Sequence, residues 1–249
     1  MVIAVLSLAA ATARADEITV MTSGAFAAAF HELAPRFERA TGHKVVTAAT
    51  ATGSGTGSIV SRVMRGEPVD VVIIAAAQIA DLIGSGRLLA DSRIDLARSS
   101  IGMAVRAGAP KPDISSVDAL KRTLSAAKTV AYSAAVSGIY VSTELFPRLG
   151  LADQLQAKGR KIEGEPVGAA VARGDAEVGF QQISELLGVP GIDYVGPLPA
   201  EVQRVTVFTG GVVTGSAHGD AARALVRFLA SPESLSAITK SGLEAPASR

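Results

Sequence analysis

The sequence has no cysteine and no tryptophan, and aromatic residues make up only 4% of its 249 residues. Without cysteine the chain cannot form disulfides, thiolate zinc sites, iron–sulfur clusters or a cysteine nucleophile. Its three histidines, His31, His43 and His218, are far apart in the sequence. We therefore expect no metal site and no cofactor. The few aromatic residues also leave little surface on which nucleic-acid bases could stack.

The sequence also lacks an excess of charge of either sign. It has 24 Lys and Arg residues against 23 Asp and Glu residues, which gives a formal net charge of +1. A protein that binds nucleic acid regardless of sequence needs a basic face, so we expect no nucleic-acid partner. No run reaches the roughly 20 apolar residues that a transmembrane helix needs.

The first fifteen residues are typical of a secretory leader. Residues 1–11 are apolar or small, and Ala13-Arg14-Ala15 has the A-x-A form of a signal-peptidase site. The basic segment that usually precedes the apolar run is missing, and the alternative is a buried N-terminal helix or strand. We expect residues 1–15 to be a signal peptide and the mature chain to be soluble and periplasmic.

The remaining chain alternates between strand and helix patterns. Phe26, Phe30, Leu33 and Phe37 recur at helical spacing and predict one buried helix face, which we expect Pro35 to kink or interrupt. The continuous apolar run of residues 69–76 is typical of a strand buried on both faces. Repeated strand–helix units predict an α/β fold with a mostly parallel sheet and helices on both faces.

Three strand-to-helix junctions carry hydroxyls and glycines just before a helix: residues 22–24, 52–58 and 133–138. Helix N-termini have unpaired N–H groups and partial positive charge, which attract anions. Ser and Thr also cap helices without any ligand. Because open parallel sheets bind ligands at the carboxyl ends of their strands, three such junctions predict an anion site.

Common enzyme motifs are absent. The loop Gly53–Ser58 has no lysine after it, so it is not a phosphate-binding P-loop, and the chain has no G-x-S-x-G. Gln181 and Gln182 end a predicted strand, where their amides could reach a ligand or satisfy local backbone groups. Glu165 and Glu185 lie near the predicted site loops, although most carboxylates are solvated or ion-paired.

Several stretches, in this order and spacing, resemble the periplasmic molybdate-binding proteins of ABC importers. The matching segments are Ile18–Phe26, Gly66–Val72, Ser137–Tyr140, Val167–Phe180 and Ala221–Leu229. The resemblance covers essentially the whole mature chain. It implies a type II periplasmic binding fold, in which two α/β lobes flank a ligand cleft. The implied lobes are residues 16–100 plus 214–249 and residues 101–213, with strands 101–105 and 205–213 crossing between them.

The resemblance also implies where a tetrahedral oxyanion would be bound. The family uses hydroxyls from two loops of the first lobe, backbone N–H groups at two helix starts of the second lobe, and a tyrosine hydroxyl. Ser23 and Ala25 compete for the first hydroxyl position, with strict alignment favouring Ala25, and Thr56 or a neighbour within Ser54–Ser58 takes the second. The remaining implied ligand-binding residues are Gly24, Ser137, Gly138, Val167 and, in place of the tyrosine, Gln182.

The stretch Phe180–Glu185 is similar to a divergent branch that also resembles exported aconitate isomerases. A tricarboxylate would need more donors than molybdate and an arginine, for which the candidates are Arg62, Arg65 and Arg106. An isomerase also needs an acid/base group. The candidates for that role are Tyr132, Tyr140, Glu165 and Glu185, and the sequence does not choose among them.

The resemblance therefore implies a monomeric solute-binding protein that closes its lobes on a small anion and delivers it to the permease of an ABC importer. Molybdate, tungstate and a small carboxylate are the expected ligands. The alternative is an isomerase that acts on a tricarboxylate such as aconitate. An ultraviolet assay with trans-aconitate would separate the two functions.

Overall fold

A computed structural model describes residues 15–48 and 55–247. All of the predicted signal peptide except Ala15, and also Ser54, lie outside the described residues. The described chain forms two five-stranded sheets flanked by helices, which confirms the predicted α/β class. We call each sheet with its helices a lobe. No helix in these two ranges is long and apolar enough to cross a membrane.

The first sheet has the strand order β2-β1-β3-β10-β4. Its strands β1, β2 and β3 run parallel, and β10 runs antiparallel to both β3 and β4. The central strand β3 is buried along its full length, as its apolar run predicts. The strands are β1 (Glu17–Thr22), β2 (Lys44–Thr47), β3 (Val71–Ala75), β4 (Ile94–Ser99) and β10 (Thr206–Val212).

The second sheet repeats this plan in the order β7-β6-β8-β5-β9. Strands β6, β7 and β8 run parallel, and β5 runs antiparallel to both β8 and β9. Its strands are β5 (Ile101–Arg106), β6 (Val130–Ser133), β7 (Gly159–Ile162), β8 (Val178–Gln182) and β9 (Ile192–Pro197).

Eleven α-helical segments cover the two sheets in the described ranges. In the first lobe they are α1 (Gly24–Thr41), α2 (Ile59–Met64), α3 (Ala76–Gly84), α10 (Gly219–Leu229) and α11 (Leu235–Lys240). In the second lobe they are α4 (Val117–Ala126), α5 (Val136–Tyr140), α6 (Phe146–Arg148), α7 (Ala152–Lys158), α8 (Val167–Arg173) and α9 (Ile183–Leu186), with a π-helical turn at Val141–Leu145 between α5 and α6.

The chain crosses between the sheets twice, from β4 to β5 and from β9 to β10. The boundary expected at residue 213 differs from this arrangement, because β10 pairs with β3 and β4 and so belongs to the first sheet. The second lobe therefore ends before Thr206. The apolar pattern of β10 shows that it is buried, but it does not show which sheet receives it.

Helix α1 illustrates how the core forms. Its four predicted core residues, Phe26, Phe30, Leu33 and Phe37, are almost fully buried against the first sheet. Pro35 does not interrupt the helix, which runs unbroken from Gly24 to Thr41, so the predicted interruption was wrong. Pro35 lies on the exposed face. There the carbonyl that loses its helix bond can face water, which lowers the cost of the proline.

Candidate functional site

A cavity of about 660 Å³ lies between the two lobes, at the ends of strands from both sheets. It is walled by the β1–α1 junction, the loop that leads into α2, the start of α3, and the β6–α5 and β8–α9 junctions. The polar residues that line it are Thr22, Ser23, His31, Thr47, Ser58, Ser61, Gln78, Asp81, Ser137, Gln182 and Glu185. The structure thus brings Ser23, Gly24, Ser137 and Gln182 of the predicted site to one cleft.

The β1–α1 junction presents the hydroxyl of Ser23. Ser23 follows β1 and is the N-cap of α1, where its Oγ accepts the N–H of Ala25 at 3.4 Å. Ala25 itself is buried in the core of the first lobe and does not line the cavity. Of the two residues that compete for the first hydroxyl position, Ser23 is therefore the one that reaches the cleft.

In the described part of the second loop and the helix that follows it, the hydroxyls that line the cavity are those of Ser58 and Ser61 rather than that of Thr56. Ser58 caps α2, since its Oγ accepts the N–H of Ser61 at 3.2 Å and lies 3.0 Å from the Ser61 Oγ. Thr56 is not a lining residue, and its carbonyl accepts a hydrogen bond from Arg65 at 2.7 Å. Ser58 falls within the predicted segment, whereas Ser61 was missed because it lies one turn inside the helix.

The β6–α5 junction contributes Ser137, which is only 2% exposed. Its Oγ lies 3.1 Å from the Oγ of Ser133 at the end of β6. Gly138 does not line the cavity, but it allows this close approach. A Cβ on Gly138 would lie 1.6 Å from the carbonyl oxygen of Ser133, so any larger residue would displace the helix from the strand.

The two glutamines at the end of β8 bind protein groups. The Oε1 of Gln181 accepts the N–H of Val167 at 2.8 Å, so this expected ligand donor is already paired, and Val167 does not line the cavity. Gln182 borders the cavity, but its amide bonds to residues of β4 and β10. In the amide orientation that satisfies both of its polar atoms, the nitrogen donates to the Oγ of Ser99 at 2.8 Å and the oxygen accepts from the Thr206 hydroxyl at 3.0 Å.

Glu185 and Asp81 are the two carboxyl groups of residues 15–48 and 55–247 that line the cleft, and Glu185 is the one on the second lobe. It lies on α9 of the second lobe and contacts the start of α1 in the first lobe, where a Cβ on Gly24 would lie 2.5 Å from its Oε1. The side chain is half-buried, with the cavity as its open side. Burial raises the pKa of Glu185 to about 7, and a hydrogen bond from the Gln181 amide works in the opposite direction.

No lysine or arginine lines the cavity in residues 15–48 and 55–247. The arginines proposed for a tricarboxylate lie elsewhere. Arg62 binds the carboxylate of Glu67 at 2.8 Å, Arg65 binds the Thr56 carbonyl, and Arg106 lies beside Gly174 on the second lobe. The polar lining therefore consists mainly of hydroxyl, amide and backbone groups, with His31, Asp81 and Glu185 as its ionisable side chains.

The other acid/base candidates lie away from this cleft. The hydroxyl of Tyr140 is buried and donates to the Val202 carbonyl at 2.6 Å, while Tyr132 packs edge-on against Phe146. Glu165 is half-buried and pairs with Arg173 at 2.7 Å, which lowers the pKa of the glutamate. Of the four candidates, only Glu185 lines the cavity.

Residues 18–244 match the family of bacterial extracellular solute-binding proteins. The chain belongs to this family. Among its relatives is an aconitate isomerase from a Pseudomonas species, which is 49% identical over 228 residues that cover 91% of this chain and 87% of the relative. The molybdate-binding protein ModA of Azotobacter vinelandii is 28% identical over 252 residues, which cover 94% and 92% of the two chains.

Solved structures of other solute-binding proteins have the same fold. The periplasmic molybdate-binding protein of Azotobacter vinelandii superposes with a TM-score of 0.75 at 22% identity, covering 92% of this chain and all of the other. The tungstate-binding protein TupA of Desulfovibrio alaskensis gives a TM-score of 0.62 at 17% identity, with 90% and 94% covered. Both comparisons confirm the two-lobed fold that the sequence resemblance implies.

Proposed function

We propose that this solute-binding protein takes up a small unsaturated polycarboxylate of the aconitate class in its cleft and isomerises it by moving one proton. The observation that carries the proposal is the position of Glu185, a half-buried carboxyl on the cleft wall with a pKa raised to about 7. The 49% identity to an aconitate isomerase supports the same substrate class. This was the alternative function at the sequence level, and Glu185 is the reason for placing it first.

The reaction needs only a base that can return the proton it takes. Aconitate has a methylene carbon next to a carbon–carbon double bond. The Glu185 carboxylate would take a methylene proton, so that the electron pair spreads across the double bond onto a carboxylate. The same proton would return to the former vinylic carbon, which shifts the double bond and balances the reaction. A pKa near the working pH suits a group that accepts and donates in one cycle.

The neutral groups of the cleft are suited to stabilising the intermediate of this reaction. The intermediate carries additional negative charge on carboxylate oxygens, and it is stabilised by fixed donors aimed at that charge. Ser23, Ser58 and Ser137 provide hydroxyls from both lobes, and the start of α1 provides a helix N-terminus. Closure of the lobes on the substrate would bring the two sets of donors onto one ligand.

The experiment is an ultraviolet assay of the purified protein with trans-aconitate. We expect the wild-type protein to interconvert the isomers and the variant Glu185→Gln to lose activity by about a hundredfold or more, the usual effect of removing an acid/base group. The matched control Glu165→Gln alters a carboxylate outside the cleft and should keep wild-type turnover. Unchanged turnover in Glu185→Gln would refute the proposed role of this residue.

The second candidate function is capture of a small anion without turnover, followed by delivery to an ABC importer permease in the periplasm. It is supported by the family and by the hydroxyl-rich lining, which can hold an anion without a buried counter-charge. A thermal-shift panel of molybdate, tungstate, sulfate, phosphate, citrate and both aconitates would test it, because a bound ligand raises the unfolding temperature. Tight binding of an anion without turnover would favour this candidate.

A further inference from the structure

The carboxyl of Glu185 lies where the cleft is otherwise suited to an anion. It touches the first residue of α1, an 18-residue helix whose N-terminus carries partial positive charge. The Ser23 hydroxyl caps the same helix end, and Ser137 lines the opposite lobe. An anion that bridges the two lobes at this point would therefore lie close to Glu185.

Few other charges reach this part of the cleft. Three of the elements packed around α9 present uncharged groups to it: the Gln181 amide from β8, Gly24 from α1, and the turn at Gly242 after α11, which contacts Ile183 and Leu187. The remaining ionisable lining residues are His31 on α1 and Asp81 on α3. In the described part of the chain no lysine or arginine of the lining offsets a charged Glu185.

We propose that Glu185 is a specificity-determining residue, whose charged carboxyl keeps tetrahedral dianions such as sulfate and molybdate out of the cleft. Two like charges in a partly dry site repel strongly, and neutral hydroxyls cannot cancel that repulsion. Sulfate has no proton to share at neutral pH. A carboxylic acid can share a proton with Glu185 in a charge-assisted hydrogen bond, so the cleft favours that class of ligand.

This inference rests on the same cleft being the ligand site, but it does not require turnover. One glutamine ties Glu185 to an implied oxyanion donor. Gln181 accepts the N–H of Val167, and its amide donates to the carboxylate of Glu185. The two hydrogen bonds of Gln181 hold the carboxylate of Glu185 in the cleft. The same fold occurs in molybdate- and tungstate-binding proteins.

The test is calorimetric titration with sulfate, which stays dianionic over the whole range used, at pH about 5.5 and about 8.5, on either side of the Glu185 pKa of about 7. We expect wild-type protein to bind sulfate at least about tenfold more weakly at the higher pH. The variant Glu185→Gln should bind it at both values, with a smaller difference between them than in the wild-type protein. The control Glu165→Gln should behave as wild type.

The outcome is independent of the isomerase assay. Equal sulfate affinity of wild type and Glu185→Gln at the higher pH would overturn the inference, and so would a folded Glu185→Gln protein that binds no sulfate at either pH. Circular dichroism and thermal unfolding of the variant establish that it is folded. A protein that fails to turn over trans-aconitate but shows the expected sulfate pattern would refute the proposed reaction and support the specificity role.

Discussion

Replacing Glu185 by glutamine should make the stability of the fold less dependent on pH. The pKa of this carboxyl is about 7 in the folded protein against an ordinary value of 4.5. Because the folded state holds the proton more tightly than the unfolded state, stability is highest at low pH and falls as the pH rises from about 4.5 to about 7. At 1.36 kcal/mol per pKa unit, the difference corresponds to about 3 kcal/mol.

The assay is urea denaturation of both proteins at several pH values across this range. The free energy of unfolding of Glu185→Gln minus that of wild type should increase with pH by up to about 3 kcal/mol and level off above the folded pKa. The control Glu165→Gln removes a carboxylate whose pKa is lowered, so it should not reproduce this trend. Parallel pH curves for Glu185→Gln and wild type would show that the carboxyl is not held in a desolvated environment.

Three further substitutions test the same site. Gln181→Leu removes the amide that donates to Glu185, so the pKa of that carboxyl should rise further, as measured by NMR titration of its ¹³C-labelled carboxyl; an unchanged pKa would contradict the contact. Gly138→Ala places a Cβ against a backbone oxygen and should cost more than about 2 kcal/mol in urea denaturation, whereas Gly84→Ala, with open space around it, should cost under about 0.5 kcal/mol. In Gly24→Ala the new methyl group contacts only the end of the Glu185 side chain, so the unfolding temperature should be nearly unchanged. The methyl group should displace the Glu185 carboxyl and reduce turnover of trans-aconitate, and full activity would contradict the position of Glu185 beside Gly24.

The sequence predicts those parts of the molecule that depend on local pattern. The helical spacing of Phe26, Phe30, Leu33 and Phe37 identifies the buried face of α1, and the apolar run of β3 identifies a strand covered on both sides. Hydroxyls at strand ends indicate the junctions that meet in the cleft. The hydrophobic patterns of α1 and β3 can be read from the sequence because each helix or strand needs a buried face, whatever it packs against.

The roles of the glutamines and of Glu185 are set by contacts that no local pattern contains. Val167 and Gln181 are fourteen residues apart, and their hydrogen bond exists only because α8 packs beside β8. Glu185 reaches the cleft because Gly24, on the other lobe, leaves room for its carboxyl. A sequence signal was present in the carboxylate that follows an apolar strand and two amides, but it matches a solvated surface glutamate equally well.

A solute-binding cleft needs little alteration to support proton transfer. Neutral donors at helix starts, which hold an anion in the ground state, also stabilise charge that develops on that anion during reaction. What a binding site lacks is a group that exchanges a proton near neutral pH. One carboxyl supplies it if burial raises its pKa and no nearby cation lowers that pKa again, which is the environment that the described residues give Glu185. Under the proposed specificity role, the same carboxyl would repel fully ionised oxyanions. The proposed catalysis and the proposed loss of oxyanion binding would then be two consequences of one residue, and Glu185→Gln should reverse both together.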